Sequence, residues 1–139
     1  MPVNLDSEKE AMIREQFPHF PFPAFLGMEI EGLQSGIAKL SLKHRPELTQ
    51  GMGILHGGVV TALCDTAVGV ALMTMIADDD KILTLEMKVN FLAPADDDVV
   101  SEARIIHKGH KTAVGDVEIK KPDGTLVAKA LVTYYVYRD

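Results

Sequence analysis

The sequence has few cysteines and few positive charges, and each shortage argues against a class of protein. A single cysteine among 139 residues cannot build an internal disulfide framework, which favours a reducing compartment. Fourteen Lys and Arg against twenty Asp and Glu leave a net charge of −6. No broad basic face is then available for nucleic acid or an anionic membrane. The acidic N-terminal stretch also lacks the apolar core of a signal peptide, so we predict a cytoplasmic protein.

The motifs of cofactor enzymes are also missing. The sequence contains no phosphate-binding glycine loop and no dinucleotide fingerprint. His107 and His110 resemble a metal-binding pair, but no set of cysteines or carboxylates accompanies them. We therefore expect neither a metal nor an organic cofactor. The length suits one domain, which we place at 27–139, behind an N-terminal helix and aromatic arm at 1–26.

The sequence does contain a long apolar run, residues 59–77, interrupted by one charge at Asp65. A membrane span is a poor interpretation, because a carboxylate there costs about 2.5–3.5 kcal/mol and flanking Lys or Arg anchors are missing. Apolar residues on every side predict instead a helix that is enclosed by other protein. Either a sheet that wraps the helix or a second copy of it would enclose it.

A glycine-rich loop precedes this helix and ends in His56, Gly57 and Gly58. Backbone N–H groups in the first turn of a helix have no partners within it, and the helix dipole is positive there. Without a Cβ in the way, a ligand oxygen can approach these amides closely, as in an oxyanion hole. The alternative is a plain glycine loop in front of a core helix.

Asp65 lies eight residues beyond Gly57, about 12 Å along a helix, so one chain cannot place both groups on the same carbonyl. Two antiparallel helices around a two-fold axis would bring each Asp65 opposite Gly57 of the other copy. We therefore predict a homodimer with two composite sites. An alternative of equal weight is that Asp65 is a structural carboxylate satisfied by a buried donor.

The flanking segments predict an α+β fold. A capping-box pattern from Ser7 to Glu10 begins a helix that ends near Gln16. Four aromatics between prolines at 17–25 are expected to pack on the body, with a lid over an apolar ligand as the alternative. Residues 78–80 are interpreted as a solvated charge run only. Alternation and turn signals predict six antiparallel strands around the helix, at 28–33, 37–43, 83–91, 99–107, 112–120 and 126–137.

Two stretches, LHGGVVTALCDTA at 55–67 and TLEMKVNFLAP at 84–94, resemble the hotdog-fold acyl-CoA thioesterases of the phenylacetate-degradation type. The likeness extends from about residue 21 to residue 137. It implies a long central helix wrapped by a six-stranded antiparallel sheet, in homodimers that often pair into tetramers. It also implies hydrolysis of an acyl-CoA to a free acid and CoA.

The resemblance assigns roles to the residues around the helix start. The N–H of Gly57 would polarise the thioester carbonyl, and Gly58 beside it would bind substrate. Asp65 from the opposite subunit would be the catalytic carboxylate, acting as general base or as nucleophile. His56 would mainly hold the loop, with action on the leaving sulfur as the alternative.

Two further positions would help to place water or the carbonyl. Thr84 corresponds to a Ser or Thr of the family, but strand alternation puts it in the polar row with Glu86. Its contact with Asp65 therefore requires a twist or a bulge. Gln50 stands where related enzymes often carry Asn, and its longer side chain would have to fold back to take the same position.

The segment His107 to Lys111 resembles the stretch that meets the CoA arm in related enzymes. Lys108, His110 and Lys111 are the candidate ligands for the nucleotide phosphates of acyl-CoA. The alternative is a solvated hairpin turn.

Three other functions are compatible with parts of the sequence to different degrees. A non-catalytic acyl-CoA binder stays open, as does an acyl-thioester hydratase or dehydratase, which would need a catalytic histidine with an acid. A Cys64 nucleophile paired with His56 is disfavoured, because about 12 Å of helix separates the two residues.

Overall fold

In a computed structural model that describes residues 4–139, one long helix lies against a six-stranded antiparallel sheet. Residues 1–3 of the predicted N-terminal arm lie outside the described residues. The sheet order is β1-β2-β4-β5-β6-β3, and each neighbouring pair is antiparallel. The elements are α1 (Ser7–Gln16), α2 (Pro21–Leu26), β1 (Glu29–Gln34), β2 (Ile37–Leu42), α3 (Gly57–Met73), β3 (Lys81–Phe91), β4 (Val99–Lys108), β5 (Thr112–Lys120) and β6 (Leu126–Tyr137). This architecture confirms the predicted α+β hotdog fold.

Helix α3 forms the centre of the core, because it is apolar on all sides. Leu63, Val68 and Leu72 are almost fully buried. The strands alternate, so that residues such as Val117 and Ile119 of β5 bury their side chains while their neighbours do not. The sheet therefore covers one side of the helix, as in one of the two predicted arrangements, while Thr61, Ala62 and Asp65 stay partly exposed. None of the helices within residues 4–139 has the length and apolarity needed to cross a membrane.

The predicted end of the long helix is wrong by four residues, because α3 stops at Met73 and not at Ala77. The Thr74 hydroxyl donates to the Ala71 carbonyl at 2.6 Å, and the Thr74 N–H also bonds the last turn. The same hydroxyl accepts a hydrogen bond from the N–H of Gly36 at 2.7 Å. A cap and a docked β1–β2 turn thus end the helix while the sequence is still apolar. The predicted strand ends agree within two residues.

The N-terminal segment packs on the body, as predicted. Phe17 and Leu26 are buried in the common core, whereas Phe22 and Phe25 are exposed. The lid over an apolar ligand stays a prediction. The cap of α1 was placed one residue late, because the side chain of Asp6, and not that of Ser7, accepts the N–H of Lys9.

The interpretation of residues 78–80 as a solvated charge run only is wrong. Asp78 pairs with Lys9 of α1. Arg138 bridges Asp79 at 3.4 Å and Asp80 at 2.9 Å. These pairs connect the loop after α3 to both ends of the chain, although exposed pairs contribute little stability.

Candidate active site

Asp65 lies half-buried in the middle of α3, where two hydroxyl groups reach it from the sheet. Thr84 of β3 donates its hydroxyl to Asp65 Oδ1 at 2.7 Å. The hydroxyl of Tyr134 on β6 lies 2.7 Å from both Oδ1 and the main-chain oxygen of Asp65. No residue among 4–139 donates a hydrogen bond to Oδ2. One carboxylate oxygen is therefore held, and the other is available to a ligand or to water.

A β-bulge brings Thr84 to this carboxylate. The register of β3 against β6 runs from Thr84 opposite Tyr134 to Glu86 opposite Thr133, so Leu85 is an extra residue on β3. The sequence alternation predicted that Thr84 could reach Asp65 only at a twist or a bulge, and the structure has a bulge directly after Thr84.

Tyr134 was missed from the sequence, although it makes two of the contacts around Asp65. Only 6% of its surface is exposed. Burial and the adjacent Asp65 charge raise the pKa of Tyr134 above its ordinary value, so the hydroxyl keeps its proton. The alternation of β6 could have shown that Tyr134 faces inward, and a buried tyrosine needs a partner for its hydroxyl.

Gly69, one helical turn after Asp65, was missed as well. A Cβ added there would lie 2.9 Å from the Tyr134 hydroxyl. A glycine inside a buried helix costs stability relative to alanine, so it calls for a packing reason. That reason is the space taken by the Tyr134 side chain.

The start of α3 is held by contacts close in sequence. His56 is the N-cap, and its Nδ1 accepts the N–H of Gly58 at 2.7 Å. The N–H of His56 donates to the Leu48 carbonyl, which ties the loop to the helix start. His56 therefore holds the loop in this structure, whereas its action on a leaving sulfur stays a prediction.

The two glycine amides at the helix start differ in availability. The N–H of Gly58 is already donated to His56, so binding of substrate by that amide stays a prediction that requires this bond to break. The N–H of Gly57 has no hydrogen-bond partner within residues 4–139. Phe91 flanks it, with a ring carbon 3.4 Å from where a Cβ of residue 57 would stand. Among the described residues, the N–H of Gly57 is therefore free to bind a ligand, next to the ring of Phe91.

Gln50 does not reach Asp65 within one chain. Its side-chain oxygen accepts the N–H of Met52 at 2.7 Å, and its own N–H donates to the Ile54 carbonyl. The residue is exposed at the tip of the glycine-rich loop. A role of Gln50 in placing water or carbonyl therefore stays a prediction.

Gly57 and Asp65 belong to the same unbroken helix, which keeps them about 12 Å apart. The structure of one chain brings Thr84 to Asp65 but leaves Gly57 away from both. Cys64 is no substitute nucleophile, because burial raises the pKa of its thiol to about 12.

The hairpin between β4 and β5 carries Lys108, His110 and Lys111, all of them exposed. The hairpin lies toward the C-terminal end of α3. The N–H of Ile105 in β4 donates to the carbonyl of Gly36, and the N–H of Gly36 donates to the hydroxyl of Thr74, which caps α3. The helix separates this end from Gly57 by about 24 Å. The structure does not bring the hairpin to Gly57 of the same chain.

Comparisons with known proteins agree with this fold. Residues 52–128 match the model of the thioesterase superfamily. A candidate esterase of Saccharolobus solfataricus is 38% identical over 116 residues, which cover 83% of this chain and 77% of that protein. The medium/long-chain acyl-CoA thioesterase YigI of Escherichia coli is 28% identical over 134 residues, covering 85% of this chain and 86% of YigI.

Solved structures show the same fold. A thioesterase family protein from Silicibacter pomeroyi superposes with a TM-score of 0.88 at 29% identity, over 94% of this chain and 99% of that one. The PaaI protein of the phenylacetic acid degradation operon of E. coli superposes with a TM-score of 0.85 at 22% identity, over 94% and 95% of the two chains. The chain belongs to the thioesterase superfamily and is a thioester hydrolase.

Proposed function

We propose that the protein hydrolyses acyl-CoA thioesters in a homodimer whose two sites each combine Asp65 of one chain with Gly57 of the other. The observation that carries this proposal is the half-buried carboxylate of Asp65, with Oδ1 held by Thr84 and Tyr134 and Oδ2 without a donor among residues 4–139. A carboxylate in this arrangement has one oxygen to accept a proton from water.

The sheet edge supports the dimer. Strand β3 is last in the sheet order and pairs with β6 alone within the described chain. Leu83, Leu85 and Phe91 on this strand are each more than half exposed. An exposed apolar edge strand favours pairing with another chain. Because β3 also carries Thr84, pairing of two such edges would assemble the interface beside Asp65.

The reaction follows from the two halves of such a site. The thioester carbonyl oxygen accepts a hydrogen bond from the N–H of Gly57. This bond stabilises the negative charge that develops on the oxygen. Asp65 Oδ2 takes a proton from water while the water oxygen attacks the carbonyl carbon. The tetrahedral intermediate then expels the CoA sulfur, and the proton is returned to the leaving group. The alternative, direct attack by Asp65, forms a mixed anhydride that water opens in a second step.

Two observations support acyl-CoA as the substrate. YigI, which is similar over most of its length, is named as a medium/long-chain acyl-CoA thioesterase. The hairpin with Lys108, His110 and Lys111 provides positive charge in an acidic chain. Antiparallel pairing of two α3 helices would move this hairpin toward Gly57 of the other copy, where it would meet the CoA phosphates. A dimer of dimers and a cytoplasmic location stay predictions.

The direct test measures free-thiol release from a panel of acyl-CoA esters of different chain length, with aromatic acyl groups included. The wild type should release CoA, and Asp65→Asn should not. Acyl-CoA binding without thiol release would indicate a non-catalytic binder, and a change in the acyl chain without release would indicate a hydratase or dehydratase. An active monomer in light scattering would contradict the composite site.

A further inference from the structure

The hydroxyl of Tyr134 lies against the middle of α3, and the side chain is buried. It is 2.7 Å from Asp65 Oδ1 and 2.7 Å from the Asp65 carbonyl oxygen. A single proton shared between these two acceptors fixes the side chain of Asp65 relative to its own backbone.

We infer that Tyr134 is a positioning residue for Asp65, and that Gly69 keeps open the space that its hydroxyl needs. This inference rests on the proposed function of Asp65. Tyr134 itself touches no reacting atom, since it bonds the oxygen opposite to the one that faces the ligand. Its effect is to fix the orientation of the carboxylate group, and so the position of the second oxygen.

Thr84 alone is a weaker anchor than the two groups together. Its hydroxyl bonds the same Oδ1 from an exposed position at the bulge of edge strand β3. Tyr134 approaches from the buried strand β6, and its ring leaves the hydroxyl little freedom. With both donors on Oδ1, rotation of the carboxylate would break two hydrogen bonds. The two hydroxyls therefore hold the carboxylate in one orientation, in which Oδ2 has no donor among residues 4–139.

Gly69 makes this contact sterically possible. A Cβ at this position would lie 2.9 Å from the Tyr134 hydroxyl and 3.4 Å from the ring carbon that bears it. The first distance is shorter than side chains tolerate, whereas the second is an ordinary contact. An alanine at position 69 therefore conflicts with the hydroxyl and not with the ring.

The first test is Tyr134→Phe, which removes the hydroxyl and keeps the ring. We expect kcat for acyl-CoA to fall roughly 10- to 100-fold, the effect of losing one hydrogen bond to a charged group, with KM unchanged. Tyr135→Phe is the matched control, because Tyr135 stacks on Tyr137, and Thr84 and Tyr134 are the residues among 4–139 whose side chains hydrogen-bond Asp65. An unchanged kcat in Tyr134→Phe would overturn the inference, and so would a KM that rises in step with a falling kcat.

The second test uses Gly69→Ala in two backgrounds. In the wild type it should displace the hydroxyl and lower kcat about as far as Tyr134→Phe does. In the Tyr134→Phe background the same change should leave kcat where it was and raise the melting temperature, because alanine is the better helix former. An equal loss of kcat in both backgrounds would overturn the role of Gly69.

Asp65→Asn distinguishes a failure of the proposed function from a failure of the role of Tyr134. If it is fully active, the proposed function of Asp65 fails and the inference fails with it. If it is inactive while Tyr134→Phe keeps its kcat, Asp65 acts without positioning by Tyr134, and only the inference fails.

Discussion

The two halves of the candidate site are held in different ways. At the start of α3, the bond from Gly58 to His56 spans two residues, and local capping geometry presents the amide of Gly57. In the middle of α3, Asp65 is held by residues 19 and 69 positions away in the chain. The amide half therefore depends on a short motif, whereas the carboxylate half depends on how two strands pack on the helix.

The largest expected effect is at the carboxylate half. Asp65→Asn keeps the size of the side chain and an oxygen that can accept from Thr84 and Tyr134. The fold, the dimer and acyl-CoA binding should survive, while kcat falls roughly 10²–10⁴-fold for a lost general base. If Asp65 is instead only structural, the same change should cost about 1–3 kcal/mol of unfolding free energy, with activity falling in step. Melting temperature, ligand affinity and turnover of this variant decide between the two.

The next effect is at the amide half. Gly57→Pro removes the N–H, and His56 with ψ of 138° already has the extended conformation that precedes proline. The fold should therefore be kept while kcat falls roughly 10²–10³-fold, as for other oxyanion-hole donors. Gly57→Ala keeps the N–H and should be much milder. Equal, near-normal rates for both variants would exclude the oxyanion role.

Mixed dimers of Asp65→Asn and Gly57→Pro chains test whether the two halves come from different chains. Each variant should be inactive by itself. A mixed dimer should regain activity, because one of its two sites joins an intact Gly57 to an intact Asp65. Verified heterodimers without activity would contradict the composite arrangement.

A smaller effect is expected at the hairpin between β4 and β5. Replacing Lys108 and Lys111 by alanine should raise KM for acyl-CoA several-fold, if these side chains meet its phosphates. A truncated pantetheine thioester has no nucleotide phosphates and should show no change. Parallel losses on both substrates would indicate a folding defect.

The smallest effect concerns the cap of α3. His56→Ala should lower the unfolding free energy by about 0.5–2 kcal/mol, because the N–H of Gly58 loses its acceptor. Asn is a preferred N-cap residue, so His56→Asn should restore both stability and turnover. Restored stability with lost turnover would show that the imidazole acts on the leaving sulfur.

The sequence was sufficient for the fold because its signals were local and agreed with one another. The alternation of β5 and β6 predicted these two strands to the residue, and the apolar run after His56 predicted α3 and its start. The end of α3 was harder to predict, because the apolar sequence continues past Thr74 and one of the bonds that hold this cap comes from Gly36, which is 38 residues away. Tyr134 and Gly69 were missed because each is ordinary in its own element, and their importance arises from their contact.

The sequence by itself determined the long apolar helix, the six strands, and a glycine amide about 12 Å from a lone carboxylate. These follow from periodicity, capping and the rise of a helix, which depend on neighbours in the chain. The tertiary structure alone decided that Thr84 turns toward Asp65 at a bulge, that Tyr134 reaches the same oxygen, and that Oδ2 has no donor among residues 4–139. Such choices depend on strand register and on the space between packed elements, which residue patterns along one chain do not encode.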